Sequence, residues 1–134
     1  MQNNTYRIID ANLNRLREGI RVVEDIFRYI YNDKELSTKL KNLRHISRVE
    51  NFYEILSSRD VQNDVLKESI KSEQNRDDLN SILIANFKRA QESARVLEEL
   101  LKLYSIKDSE NFKYIRYELY NLEIVLTKIT SNSK

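Results

Sequence analysis

Hydrophobic residues recur along this chain at spacings of three and four, and the pattern predicts four long helices. In the first, over about residues 5–31, Leu13, Leu16, Ile20, Val23, Phe27 and Ile30 step alternately by three and four, which marks one buried seam. Asn32, Asp33 and Lys34 make a short turn. The second helix is expected over about residues 35–56, with Leu36, Leu40, Leu43, Ile46, Val49, Tyr53 and Leu56 on its stripe. Consecutive steps of three around His45, from Leu40 to Val49, shift that stripe around the helix, so His45 reads as a packing residue rather than a general base. Residues 57–73 are less regular and suit a polar connection with at most one short helix. The third helix, over about residues 74–104, carries Leu83, Phe87, Ala90, Ala94, Leu97, Leu101 and Tyr104 on its seam. After a turn over residues 105–109, with Asp108 or Ser109 as N-cap, the fourth carries Phe112, Ile115, Leu119, Leu122, Leu126 and Ile129. Short turns between long helices make neighbours antiparallel. The expected fold is therefore all-α: one domain, a four-helix antiparallel bundle of two hairpins with a longer central connection.

Composition narrows the picture. The chain of 134 residues has one glycine and no proline, too few turn residues for a strand-rich fold. Charged residues make up 33% and hydrophobic ones 40%, which suits helices with one dry and one wet face. There is no cysteine and one histidine, so disulfides, thiolate metal sites, cysteine nucleophiles and multi-histidine metal sites are excluded. No apolar run approaches the ~20 residues of a membrane span, and the polar N-terminus does not resemble a signal peptide. A cytoplasmic protein with no membrane partner is expected. The net charge of +2, with both signs interspersed, gives no reason to expect nucleic-acid binding. A lone glycine also excludes a P-loop or a dinucleotide fingerprint, so side chains and helix ends would have to hold any nucleotide.

The first and third helices are self-similar. The run Ala11-Asn12-Leu13-Asn14-Arg15-Leu16-Arg17-Glu18-Gly19-Ile20-Arg21-Val22-Val23-Glu24 matches Ala85-Asn86-Phe87-Lys88-Arg89-Ala90-Gln91-Glu92-Ser93-Ala94-Arg95-Val96-Leu97-Glu98 in the frame A-N-x-x-R-x-x-E-x-x-R-V-x-E. Leu43-Arg44-His45 is echoed more weakly by Ile115-Arg116-Tyr117. The halves, about residues 5–57 and 74–131, read as duplicated hairpins around a pseudo-twofold axis. Apolar matches are required of any two seams, but asparagine is a poor helix former and its recurrence needs another reason. Asn12, Arg15 and Gly19 share one edge of the seam, as do Asn86, Arg89 and Ser93. The small residue on each edge leaves room for a helix or a ligand. An ordinary reading stands beside this one: Arg15 with Glu18, and Arg21 with Glu24 or Asp25, are helix pairs worth ~0.3 kcal/mol each, and the asparagines bond across a hairpin to fix register.

The connection Ser58-Arg59-Asp60-Val61-Gln62-Asn63-Asp64-Val65 places two carboxylates four residues apart, so on a helical turn they share a face. With an arginine beside them they suit Mg²⁺ and a phosphate. The start of the third helix, near Arg76, suits an anion. Read without function, the connection is a capped polar surface loop.

Taken together, these residues resemble an all-helical family found fused ahead of thiamine-phosphate synthase in some bacteria and elsewhere found alone. The resemblance rests on Arg7-Ile8-Ile9-Asp10-Ala11-Asn12-Leu13-Asn14-Arg15 with the run Arg17 to Asp25, and on Leu43-Arg44-His45. It extends through Ser58-Arg59-Asp60 with Asp64-Val65, Ser72-Glu73 with Arg76, and the stretches from Ala85 to Glu92 and Arg95 to Glu99. The chain departs from the family's usual pattern at Gln62-Asn63, at Leu66, where a glycine is common, and at Ser93, where alanine is common. The resemblance implies phosphoryl transfer from ATP to hydroxymethylpyrimidine phosphate in thiamine biosynthesis, with a separate thiamine-phosphate synthase consuming the diphosphate. No catalytic residue carries over with it, so roles follow from side-chain chemistry. Arg15, Arg89 and Arg59 are assigned to phosphate oxygens, because guanidinium binds them bidentately. Asp60 and Asp64 are assigned to Mg²⁺. Asn12, Asn86, Glu18, Glu92 and Arg76 are assigned to substrate, both edges meeting in one pocket. The rival is a non-catalytic module that binds the pyrimidine phosphate or a pathway enzyme, or that forms a homodimer.

Overall fold

A computed structural model describes residues 2–69 and 78–132 of the chain. The described residues are helical or irregular, in five helices rather than the expected four: α1 (Gln2–Tyr29), α2 (Lys34–Ile46), α3 (Phe52–Leu56), α4 (Leu79–Leu101) and α5 (Ile106–Asn132). The first seam is buried as read from Leu13 to Phe27, and Tyr6, Ile9 and Ile26 join it. Ile30 lies past the helix end and is exposed. The chain reverses through Asn32, whose left-handed φ of 53° asparagine tolerates, and Asp33 then caps α2 by accepting from the Leu36 amide at 2.9 Å.

The expected second helix is broken. Ser47 turns its hydroxyl back onto the Leu43 carbonyl at 2.7 Å, and its amide tightens onto the Arg44 carbonyl. The freed groups find partners far along the chain. Asn111 Nδ2 donates to the Ile46 carbonyl at 2.8 Å, and the Glu50 amide donates to the buried Asp108 carboxylate at 3.2 Å. The stripe shift beside His45 is thus the approach to a break, and His45 itself is exposed rather than packed. Tyr53 is exposed as well, whereas Val49 and Ile55 reach the core. Asp108 and Ser109 are buried within α5 and do not cap it. Ser105 does, with its hydroxyl accepting from the Asp108 amide at 3.1 Å. Tyr104 lies past α4 with its ring 5.1 Å from that of Tyr6.

Helix α1 packs on α2, α3 and α4, and α4 packs on α5. Gly19 marks the close approach of α1 to α4. A methyl group there would come within 3.0 Å of the Asn86 carbonyl oxygen and 3.4 Å of the Ala90 methyl. The room beside Gly19 is therefore taken by a helix, not a ligand, and this offsets the ~1 kcal/mol that glycine costs inside a helix. Because the nearest atom is backbone and cannot swing aside, Gly19→Val is expected to lower the unfolding free energy in urea by about 2 kcal/mol. An unchanged midpoint would contradict this packing.

The matching stretches carry matching ties. Buried Glu24 receives Arg44 at 2.8 Å within the first hairpin, and buried Glu98 receives Arg116 at 2.9 Å within the second. Asn12 Nδ2 donates to the Ile8 carbonyl at 2.9 Å, and Asn86 Nδ2 to the Ile82 carbonyl at 2.8 Å. Both asparagines bond four residues back on their own helix rather than across a hairpin. Among the described residues no helix is long and apolar enough to cross a membrane.

Candidate functional site

The first half of α1 presents Asn4, Arg7, Ala11, Arg15 and Glu18 at helical spacing on one face, and the chain leaving α3 is pinned against that face. Ser58 turns its hydroxyl and its amide onto the Ile55 carbonyl, and the Arg59 amide follows onto Leu56. The Arg59 guanidinium then grips Asp10 with two parallel hydrogen bonds of 2.8 Å, Nε and Nη2 each to one carboxylate oxygen. Asp10 is only 4% exposed, so this pair is a fixed tether between loop and helix. The same hydrogen bonds hold the Arg59 guanidinium still more firmly protonated than usual.

Beyond the tether, residues 60–65 arch over α1 and enclose an open cleft of about 890 Å³. Asn12, Arg15, Glu18, Arg59, Asp60 and Asp64 all line it. Its wall also holds Arg7, Asp10 and Asn14, and the apolar Ile8, Ala11, Val61 and Val65. Of its charged groups, Arg59 and Asp10 cancel, leaving Arg7 and Arg15 against Glu18, Asp60 and Asp64. Such a wall attracts neither a bare anion nor a bare cation strongly, and suits an anionic ligand that arrives with a divalent cation.

Asp60 Oδ1 accepts from the Asn63 amide at 3.1 Å and Oδ2 from Asn63 Nδ2 at 2.6 Å. Asp64 Oδ1 accepts from the Leu66 amide at 3.0 Å. The two acids shape their own loop, and each keeps unused lone pairs. No third carboxylate or histidine joins them in a metal-binding group among the described residues. Mg²⁺ is commonly held by one or two carboxylates with water and phosphate completing its shell, and two carboxylates line this cleft.

The hydrogen bonds from Asn63 push the Asp60 carboxyl below the ordinary carboxylate range, with the Arg7 charge adding to them. A depressed value in the folded state stabilises the fold above the unfolded value, and the contribution is lost as pH falls through the folded value. Asn63→Ala is therefore expected to raise the Asp60 midpoint in a carboxyl ¹³C titration. The stability advantage of the native loop over that variant is expected above about pH 4 and should fade below it. An unmoved midpoint would remove the Asn63 side chain as the cause.

The second edge does not join this cleft. Arg89 and Glu92 are exposed on α4, Asn86 is partly buried, and none of the three lines the cleft. The expected single pocket from both edges is thus replaced by a cleft on the first edge alone. The loop tethered through Arg59 lines the α1 face, and no residue of α4 lines the cleft. Arg76 lies outside the described residues. Arg59, assigned to phosphate, serves first as the tether. Two charged residues of the cleft, Arg7 and Asp10, have no role in the sequence-based assignment. Arg7 stands two turns ahead of Arg15 on the same face, a spacing visible in the sequence. Asp10 interrupts an apolar run beside Ile8 and Ile9, and a charge there signals a buried partner.

The chain is 40% identical over 124 residues to a thiamine-phosphate synthase of Nostoc sp., covering 92% of this chain and 35% of that protein. It is 42% identical over 122 residues to one from Thermosynechococcus vestitus, covering 90% and 35%. With one from Rhodopirellula baltica it shares 36% over 137 residues, covering 96% and 36%. The chain thus spans about a third of the length of the curated relatives it matches. No solved structure matches it. The model of the ThiD2 family matches residues 7–125, a span that holds the tether, both acids of the loop and Arg15, and the chain belongs to that family.

Proposed function

We propose that this is a thiamine-biosynthesis protein that phosphorylates hydroxymethylpyrimidine phosphate to the diphosphate with ATP. The observation that carries the reading is the cleft on α1, which gathers Arg7, Arg15, Asp60 and Asp64 around one space large enough for a small phosphorylated ring and a triphosphate. The similarity to proteins named thiamine-phosphate synthase supports the pathway.

The chemistry asks little of a general base. The acceptor is a phosphate monoester, largely dianionic at neutral pH because its second pKa is about 6. One of its oxygens attacks the γ-phosphorus of ATP, the bond from that phosphorus to the β–γ bridging oxygen breaks, and ADP leaves. No proton has to be removed, so an exposed His45 is no obstacle. The obstacle is repulsion between two phosphates, and catalysis is mainly positioning and charge neutralisation. Arg15 and Arg7 bind phosphate oxygens, Asn12 offers its side-chain oxygen to a donor on the substrate, and the Asp10–Arg59 tether holds the loop at the right distance. Asp60 and Asp64 would hold Mg²⁺, which would supply neutralisation of charge on the donor phosphates.

The test follows ³¹P signals in a mixture of protein, ATP, Mg²⁺ and hydroxymethylpyrimidine phosphate. Stoichiometric ADP and pyrimidine diphosphate are expected. Asp60→Asn with Asp64→Asn should raise the Mg²⁺ requirement at least about tenfold. The rival is a non-catalytic module that binds the phosphorylated ring or partners the synthase, and it draws on the hydrogen bonds by which both acids serve their own loop. Tight substrate binding with no ATP consumed by well-folded protein would favour it.

A further inference from the structure

The outer faces of three long helices differ in kind. On α1 the exposed positions past the cleft include Arg17, Arg21, Arg28 and Tyr29, and on α4 they are Asn80, Ile84, Lys88, Arg89, Glu92, Arg95 and Glu99, a mainly charged surface with a single large apolar residue in each set. On α5 the core seam is Phe112, Ile115, Leu119, Leu122 and Leu126. At 100° per residue, Tyr117 and Ile124 point almost directly away from that seam. They are 51% and 58% exposed, and Tyr114, Tyr120 and Val125 flank them, also exposed. An apolar ridge opposite the core is a surface that expects a partner.

The ridge is also ordered in advance. Buried Arg116, held by Glu98, lies 4.9 Å from the Tyr117 ring centre and 5.7 Å from that of Tyr120, and the two rings meet edge to face at 6.0 Å. Tyrosines fixed by a buried arginine give contact area at low entropic cost. Along α5 the aromatic residues 114 and 117 precede Asn121 and the aliphatic residues 124 and 125 follow it. The ridge therefore complements itself when reversed.

We propose that α5 forms a homodimer interface with α5 of a second copy, antiparallel, about a twofold axis through Asn121. Tyr117 packs on Ile124 and Val125 of the second copy and the converse, as an isologous contact requires. The two Asn121 side chains meet at the axis, where a paired polar residue fixes register. The apolar ridge exposes on the order of 400 Å² in each copy. With its polar margins, a pair reaches about 1,000 Å², the lower bound for a specific interface. The catalytic reading is not needed for this inference, because the cleft lies on α1.

Sedimentation velocity of the full chain is expected to show a dimer at tens of micromolar. Ile124→Glu should raise its dissociation constant at least 100-fold with an unchanged circular dichroism spectrum. The absence of cysteine permits a second, independent measurement. Asn121→Cys is expected to form a disulfide-linked dimer under mild oxidation, at least tenfold faster than Asn80→Cys on α4. A wild-type chain that stays monomeric at 100 µM, or equal cross-linking at both positions, would overturn the proposal. So would a dimer unmoved by Ile124→Glu. A monomer that binds purified thiamine-phosphate synthase, and loses that binding with Ile124→Glu, would also overturn it and assign the ridge to the synthase.

Discussion

Glu98→Ala is expected to lower the free energy of unfolding by roughly 4 kcal/mol. Glu98 is 6% exposed and Arg116 is 8% exposed. Arg116 Nε donates to Glu98 Oε1 at 3.0 Å, and Nη2 lies 2.9 Å from the same oxygen. Removing the carboxylate leaves a largely buried guanidinium with the Tyr120 hydroxyl at 3.4 Å, two ring faces and the more distant charge of exposed Glu99. The cost is dominated by that orphaned charge rather than by the lost attraction. Glu98→Gln, which keeps a hydrogen-bond acceptor, should lose less than Glu98→Ala. Urea unfolding followed by circular dichroism measures both, and the glutamine variant keeps the comparison open if the alanine variant does not fold. A loss under 1 kcal/mol for Glu98→Ala would mean that the pair is solvated.

Arg15→Ala is expected to lower kcat/KM for diphosphate formation at least about 100-fold, close to 2.7 kcal/mol of transition-state stabilisation. Stability should stay within about 0.5 kcal/mol of the parent, because Arg15 is exposed. It has no ion-pair partner among the described residues and lines the cleft. Arg15→Lys should recover only part of the activity, since an ammonium cannot bind two phosphate oxygens as a fork does. Arg89 holds the same place in the repeated frame, yet it stands outside the cleft. Arg89→Ala is therefore expected to change activity less than threefold. The contrast between the two arginines separates a site on α1 from one shared by both edges.

The seams of α1, α4 and α5 were legible because a buried stripe must repeat at helical spacing, and Leu13 to Phe27, Leu83 to Leu101 and Phe112 to Leu126 are buried as read. The break after Ile46 was not legible. It is fixed by Asn111 and Asp108, more than fifty residues away, and no local pattern carries that information. The repeated polar residues were visible, but their meaning was divided. Glu24 and Glu98 tie hairpins together, and the asparagines satisfy their own helices, so most of the repeat reports on folding. What makes one edge a cleft is the loop pinned by Asp10 and Arg59, a contact across 49 positions that spacing could not reveal.

Backbone amide shifts during a titration with hydroxymethylpyrimidine phosphate and Mg²⁺ would locate the site without relying on turnover. Perturbations concentrated at residues 7–18 and 59–65 are the predicted result. Shifts centred on residues 86–92 with the α1 face unmoved, or none at millimolar ligand, would contradict the assignment of the cleft.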